Sequence, residues 1–168
     1  PASERPLITP LRWSGRVEVT GTMVIDQPLV IGPGTDILMA EGASLIVKRR
    51  LLAEGRANAP IRFVPAKSGQ KPWGTVALLG RTADGSRLAN CEMAHGGGLK
   101  GALFEYSAMF SIHGVRDVKI SDCLFRDSKL VDDMVHAVYS SIKFKRSVFR
   151  RSFSDALDLD ISEATIEN

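Results

Sequence analysis

The sequence predicts an all-β solenoid, and two observations carry that prediction. One motif occurs twice, as DDMVHAVYS at 132–140 and SDALDLDIS at 154–162, with matched positions 22 residues apart. Short apolar runs also alternate with turn residues along most of the chain. A period in the low twenties built from such runs is typical of a solenoid with one coil per repeat. Equivalent positions of successive coils should then stack at the strand spacing, about 4.8 Å.

Length and composition fit one domain. The chain has 168 residues, a formal net charge of +3 and a pI of about 9.1, with its basic residues scattered. This weak positive charge does not indicate a nucleic-acid partner, and no apolar run is long enough to cross a bilayer. Cys91 and Cys123 are too few for a disulfide framework, so we expect them to be small buried apolar residues.

The first predicted element is an irregular lead-in or N-terminal cap at residues 1–16, which contain three prolines and Trp13. From residue 17 onward, short Val, Ile and Leu runs bounded by Gly or Pro predict strands, because each run is too short for a globular helix. The first of these runs are 17–25, 29–31, 37–39, 45–47, 61–64 and 76–79. The solenoid is therefore predicted to occupy residues 17–168.

The repeat is clearest in the C-terminal half. Residues 118–125 align with 142–149 at an offset of 24, and the next repeat follows at an offset of 22. Apolar parity is preserved, which predicts two interior columns: Val118, Ile142 and Ala164, and Ile120, Phe144 and Ile166. Opposite charges should also face each other outside. The predicted outward pairs are Asp122 with Arg146, Lys145 with Glu167, and Asp127 with Arg151.

Several segments resemble a known superfamily, namely GTDI at 34–37, ASLIV at 43–47, LAEG at 52–55, APIRF at 59–63, WGTV at 73–76 and LANCEM at 88–93. The chain resembles right-handed parallel β-helix proteins of the pectate-lyase-like superfamily, in particular the β-helix repeat modules of bacterial secreted and surface proteins. The resemblance implies a right-handed, single-stranded parallel β-helix of about six coils, with repeats of 22–24 residues in the C-terminal half. It also implies a secreted, periplasmic or cell-surface location. Because the superfamily includes lyases, hydrolases, epimerases, adhesins and non-catalytic modules, it implies no single activity.

The last residue, Asn168, falls in the middle of a predicted strand. We therefore expect a piece of a longer solenoid, truncated at its C-terminal end. A solenoid end without a cap leaves an edge that can pair with another chain. The sequence thus predicts self-association through the C-terminal coil.

The repeated motif contains the candidate site. Its offset places His136 beside Asp158 and Val138 beside Asp160 on neighbouring strands. Strand alternation then puts Val135, Ala137 and Tyr139 inside with Leu157, Leu159 and Ile161. His136, Asp158 and Asp160 should therefore face outward on one sheet. Asp133 and Asp155 lie at the strand starts, where we expect them to accept hydrogen bonds from turn amides.

Such a patch permits several chemistries. Asp158 and Asp160 are two residues apart on a strand, which predicts carboxylates about 6–7 Å apart, near the lower limit for an inverting glycoside hydrolase pair. His136 beside Asp158 can act as an oriented general base. Alternatively, Asp158 and Asp160 can hold Ca²⁺ through hard oxygen ligands. A salt-linked structural ladder is the fourth alternative.

The order of the residues argues against two kinds of enzyme. Polygalacturonase-like enzymes need an Asp-Asp followed downstream by a His-Gly, whereas His113-Gly114 precedes Asp132-Asp133. Pectate-lyase-like chemistry needs a basic residue near the Ca²⁺ carboxylates, and no Lys or Arg lies between Lys129 and Lys143.

We therefore expect a non-catalytic module that is structural, binds an extended acidic polysaccharide, or both. Its predicted binding residues are His136, Asp158, Asp160, Asp133 and Asp155. No cofactor or metal is predicted, apart from the Ca²⁺ alternative at Asp158 and Asp160. The competing function is a polysaccharide lyase or glycoside hydrolase that uses the same face. A third hypothesis is a spacer or assembly scaffold whose function lies in other coils.

Overall fold

The computed structural model describes residues 8–101, 105–128, 130 and 133–168. Apart from a short 3₁₀ turn at Arg81–Ala83, the regular structure of these residues is entirely β. Nearly all the strands belong to three sheets, and the chain visits these sheets in the same repeating order. The prediction of an all-β chain is confirmed, and the long parallel sheets are consistent with a parallel β-solenoid.

The strands are numbered in chain order. Sheet I contains β1 (Leu11–Trp13), β4 (Leu29–Ile31), β7 (Leu51–Glu54), β10 (Arg87–Ala89), β15 (Val118–Ser121), β18 (Ser141–Lys145) and β21 (Glu163–Glu167). Sheet II contains β2 (Arg16–Val19), β5 (Asp36–Met39), β8 (Ile61–Pro65), β11 (Cys91–Ala94), β16 (Leu124–Arg126) and β19 (Val148–Arg150). Sheet III contains β3 (Thr22–Ile25), β6 (Ser44–Val47), β9 (Val76–Leu79), β14 (Ala108–His113), β17 (Asp133–Val138) and β20 (Asp155–Asp160).

Part of the predicted lead-in is strand. Leu11–Trp13 pairs in parallel with Leu29–Ile31, so sheet I begins within the segment that the sequence suggested was irregular. Residues 1–7 of that segment lie outside the described residues. No helix in the described part of the chain is long and apolar enough to span a membrane.

The corners between the sheets depend on left-handed backbone. At the corner from sheet III to sheet I, Gly80 and Gly114 have φ of 75° and 68°, and the equivalent positions are Tyr139 at 49° and Ile161 at 48°. The amides of Gly80, Gly114 and Tyr139 each donate to a carbonyl of the next coil, as in Tyr139 N–H to Asp160 O at 3.0 Å. Glycine adopts this conformation without strain, whereas the two later side chains are held in it.

The core lies between the three sheets and is built from the inward side chains. Phe125 stacks on Phe110 and on Phe149, with ring centroids 6.2 and 5.2 Å apart. Burial of each such ring stabilises the fold by about 1.5–3 kcal/mol. Cys91 and Cys123 are also buried, and neither forms a disulfide, as the sequence predicted.

The predicted register of the C-terminal coils is confirmed. Val118 pairs with Ile142 and Ile120 with Phe144, and the next strand adds Ala164 and Ile166 to the same columns. Ile166 is nonetheless 67% exposed, because β21 lies at the edge of sheet I. The column is therefore as predicted, but its last member is not in the interior.

The outward charges follow the same register. Arg146 bonds to Asp122 at 2.7 Å, and Arg151 bonds to Asp127, as predicted. Lys145 does face Glu167 in the ladder, but the ion pair of Glu167 is with Lys143, at 2.6 Å.

Between β11 and β14 the chain leaves the three sheets, at residues 95–107; we call this segment the excursion. It contains a short antiparallel hairpin of β12 (Leu99–Lys100) and β13 (Glu105–Tyr106). The indole of Trp73 is fully buried and donates to the carbonyl of Ala94 at 2.7 Å, which anchors the start of the excursion. Gly96 passes so close to Met109 that an added Cβ would lie 2.3 Å from its Cγ. The excursion therefore packs against the outer face of sheet III.

Candidate functional site

The outer face of sheet III changes character along its length. One outward column is continuous through the sheet in register. Its members, in order, are Val24, Ile46, Ala77, Ser111, His136 and Asp158. The first three are apolar and the last three are polar, so the chemistry of this face is confined to β14, β17 and β20.

His136 lies at the centre of the polar part. Its side chain is 14% exposed, and its Nε2 lies 3.2 Å from Asp160 Oδ2 and 3.7 Å from Asp158 Oδ2. His136 pairs with Asp158, and Val138 with Asp160, as the 22-residue offset predicted. The three side chains proposed from the sequence thus converge on one point of the surface.

The predicted separation of the two carboxylates is wrong. His136, Asp158 and Asp160 each offer a ligand atom, and these atoms lie within 4.8 Å of one another. The expected 6–7 Å assumed that both carboxylates extend straight out from the strand. Instead, both turn toward the imidazole between them, which brings their oxygens closer than an inverting glycoside hydrolase pair requires.

Ser107 connects His136 to a further carboxylate. Its Oγ lies 2.9 Å from His136 Nδ1 and donates a hydrogen bond to Asp133 Oδ2 at 3.2 Å. Asp133 is only 4% exposed, and this burial raises its pKa, against the hydrogen bond from Ser107. Sequence reasoning missed Ser107, because it belongs to the excursion and not to the repeat.

Asp133 and Asp155 have different environments although they pair in register. Asp133 is buried, whereas Asp155 is exposed at the outermost strand. The predicted bonds from turn amides to Asp133 remain a prediction, because residues 131 and 132, including the first Asp of the motif, lie outside the described residues. Asp133 therefore belongs to the cluster around His136, and Asp155 lies at its margin.

The ring of His113 lies beside His136, and the ring of Tyr106 lies beside His113. His113 is 5.7 Å from His136 and 5.1 Å from Tyr106 between ring centroids. Burial, and secondarily the neighbouring His136, lowers the pKa of His113 to about 4, so this ring is neutral at pH 7. Its buried Nε2 has no hydrogen-bond partner among the described residues. The sequence pattern does not predict His113 at this site, because His113 lies outside the repeated motif.

Tyr139 corrects the interior predicted for this region. The strand ends at Val138 and the backbone turns to positive φ, which leaves Tyr139 64% exposed. For the same reason Ile161 is 77% exposed, and Leu159 on the outermost strand is 37% exposed. Strand alternation does not extend through a left-handed corner, so Tyr139 and Ile161 do not fill the core as expected. Leu159 is partly exposed for a different reason, because β20 is the edge strand of sheet III.

We call Ser107, Asp133, His136, Asp158 and Asp160 the polar strip. Asp158 and Asp160 are its exposed members, with side chains 46% and 63% exposed, whereas His136 and Asp133 are mostly covered. A cavity of about 480 Å³ lies elsewhere, where Gln70, His95 and Arg126 are among the residues that line it. A small-molecule site is usually a mostly apolar pocket, whereas the side chains of the polar strip are all polar.

Fold and strip together describe an all-β chain with long parallel sheets, consistent with a parallel β-solenoid, that has a histidine and carboxylate cluster on one outer face. Comparison of the chain with protein-family models, with curated proteins and with solved structures finds no match in any of the three.

Proposed function

We propose that the chain is a non-catalytic module of a secreted, periplasmic or cell-surface protein that binds an extended polysaccharide along the polar strip. The fold assigned to it is a right-handed parallel β-helix of about six coils from the pectate-lyase-like superfamily. The segments that resemble bacterial β-helix repeat modules support this assignment, and the parallel sheets agree with it.

One observation carries the binding proposal. The outer column of sheet III turns polar toward its last strands, where His136 and Asp158 are direct neighbours and reach the surface, while the third polar member, Ser111, is fully buried. Strand spacing fixes these groups at a repeat of about 4.8 Å, so little conformational entropy is lost when a repeating polymer binds. Carboxylates accept hydrogen bonds from sugar hydroxyls. The exposed ring of Tyr139, next to the Asp160 rung, offers an apolar face for a sugar ring.

Charge decides which polysaccharides fit. The polar strip contains three carboxylates, so an acidic chain is repelled unless a cation bridges the two surfaces. A neutral chain meets no such penalty. We therefore expect neutral polysaccharides to bind directly and acidic ones to bind only with a divalent cation present.

Affinity electrophoresis on gels that contain neutral or acidic polysaccharides tests this proposal. The wild-type chain should be retarded by at least one polysaccharide, and Asp158→Asn with Tyr139→Ala should abolish the retardation. Asp26→Asn is the matched control, because Asp26 is an exposed carboxylate on another part of the solenoid, paired with Arg49. Retardation that is unchanged in the double variant would overturn the polar strip as the contact surface.

The alternative is a polysaccharide lyase or glycoside hydrolase that acts at the same strip. The observation in its favour is the convergence of His136, Asp158 and Asp160 within 4.8 Å, since close carboxylates and an imidazole can transfer protons. Release of reducing ends or unsaturated uronates, with and without Ca²⁺, separates the two functions. Turnover that is lost in Asp158→Asn would replace the binding module with an enzyme.

A further inference from the structure

The hydrogen bonds of Ser107 determine which nitrogen of His136 carries the proton. A serine hydroxyl has one proton to donate. When Ser107 gives that proton to Asp133 Oδ2, its oxygen accepts from His136 Nδ1–H, 2.9 Å away. The neutral ring is therefore protonated at Nδ1 and has its free electron pair on Nε2.

That electron pair points at negative charge. His136 Nε2 lies 3.2 Å from Asp160 Oδ2 and 3.7 Å from Asp158 Oδ2. Two carboxylates and a ring nitrogen this close together favour a cation between them. A second proton on the ring can supply that charge to Asp160, whereas at 3.7 Å Asp158 is beyond hydrogen-bond distance from the ring. A metal ion can bind all three atoms.

The geometry points to a binding site for a borderline divalent metal ion, Zn²⁺ or one of similar preference, with His136 Nε2, Asp158 and Asp160 as its protein ligands. Ligands at about 2.0 Å from a tetrahedral ion lie about 3.3 Å from one another. The two distances from His136 Nε2, 3.2 and 3.7 Å, are close to that spacing. The oxygens of Asp158 and Asp160 lie within 4.8 Å of each other, and rotation of these two exposed side chains is needed to bring them to the same spacing.

The surroundings of the ring match those of a metal ligand. A histidine that binds metal through one nitrogen normally donates its other N–H to a fixed acceptor, which sets the tautomer and the orientation of the ring. Ser107 and Asp133 supply that acceptor chain here. Ser107 is thus a positioning residue, and Asp133 positions Ser107.

The donor set also selects the ion. Imidazole suits Zn²⁺, Cu²⁺ and related ions, whereas Ca²⁺ takes six to eight oxygen ligands. Two carboxylates and a histidine provide too few oxygens for Ca²⁺, the ion considered from the sequence. Asp158 and Asp160 have side chains 46% and 63% exposed, so the fourth position of a tetrahedral ion opens to solvent. A water or a ligand oxygen completes the coordination there.

This inference does not depend on glycan binding, so its test uses metal alone. Isothermal titration of the chelator-treated chain with Zn²⁺ should give one site per chain. A control titration with CaCl₂ in place of ZnCl₂ should release or absorb much less heat than the Zn²⁺ titration. Asp160→Asn should abolish the site without unfolding, because Asp160 is largely exposed, and Ser107→Ala should weaken it by about 10- to 100-fold.

Two control variants test whether Zn²⁺ binds at other histidine or carboxylate side chains. His95→Gln should leave the affinity unchanged, and so should Asp26→Asn. In ¹⁵N NMR spectra, Zn²⁺ should shift His136 Nε2 to the metal-bound range while Nδ1 stays protonated. The inference is overturned if no Zn²⁺ binds, if Asp160→Asn binds as well as wild type, or if Nε2 remains protonated when Zn²⁺ is saturating.

Discussion

The two ends of sheet III share one backbone but differ on their outer faces. In β3, β6 and β9 the outward column is Val24, Ile46 and Ala77, whereas in β17 and β20 it is His136 and Asp158. The inward columns remain apolar as far as β17, where Val135 and Ala137 are fully buried. The inward residues of the two ends are therefore alike, whereas the outward residues differ in chemistry and, from Ala77 to Asp158, in exposure.

The largest expected effect on the free energy of unfolding comes from a residue in the core between the sheets. Phe125→Ala removes a ring that is 1% exposed and stacked between two others, and it should cost about 3–5 kcal/mol of unfolding free energy. Denaturant titration measures this loss. Asp158→Asn, on the outer face, should change stability by less than about 0.5 kcal/mol. Equal losses for the two variants would contradict the separation of inner and outer faces.

A smaller effect on thermal stability is expected from Asp127, and it should depend on pH. The bond from Arg151, and secondarily that from Arg126, holds the pKa of Asp127 well below its ordinary value. Because the folded state then binds fewer protons, the stabilisation is complete above the unfolded pKa of about 3.9 and is lost as pH falls through the folded value. Asp127→Asn should lower Tm by roughly 2–4 °C at pH 7.

The pH profile checks this explanation. The gap in Tm between wild type and Asp127→Asn should narrow as the pH falls below about 4. A gap of the same size at pH 7 and at pH 2 would mean that packing, and not charge, accounts for the loss.

The corners give a matched pair of variants. Gly114→Ala places a Cβ at φ 68° and should destabilise the fold by about 1–2 kcal/mol. Tyr139→Gly, at the equivalent corner, should change stability by less than about 0.5 kcal/mol, because relief of strain is offset by the backbone entropy of glycine. Thermal unfolding of both variants measures the asymmetry, and a large loss in Tyr139→Gly would show that its ring stabilises the corner.

The weakest expected effect concerns association of the chain with itself. Ile161 and Ile166, at the last rung of sheets III and I, are 77% and 67% exposed, and β20 and β21 each pair on one side only. We expect the sedimentation coefficient to rise with concentration, and Ile166→Lys to reduce that rise. A coefficient that is constant up to high concentration would contradict the prediction.

The repeat made most of the fold predictable. A constant offset fixes which residues are neighbours, so the pairing of His136 with Asp158 followed from the sequence alone. Three features did not follow. Ser107 enters the polar strip from an excursion without a repeat. Tyr139 leaves the core because alternation stops at a left-handed corner. The carboxylates converge on His136 Nε2 through side-chain rotations that spacing does not encode.

Because of the excursion between β11 and β14, the surface around His136 can change without a change in the register of the strands. The excursion supplies Ser107 to the polar strip, yet its start is fixed by the bond from Trp73 to Ala94 and it adds no strand to the three sheets. Insertions or deletions in its hairpin can thus reshape access to His136 while the stacked coils keep their register. An engineer who wishes to redirect what this surface recognises should graft new sequence at that hairpin and leave the strands alone.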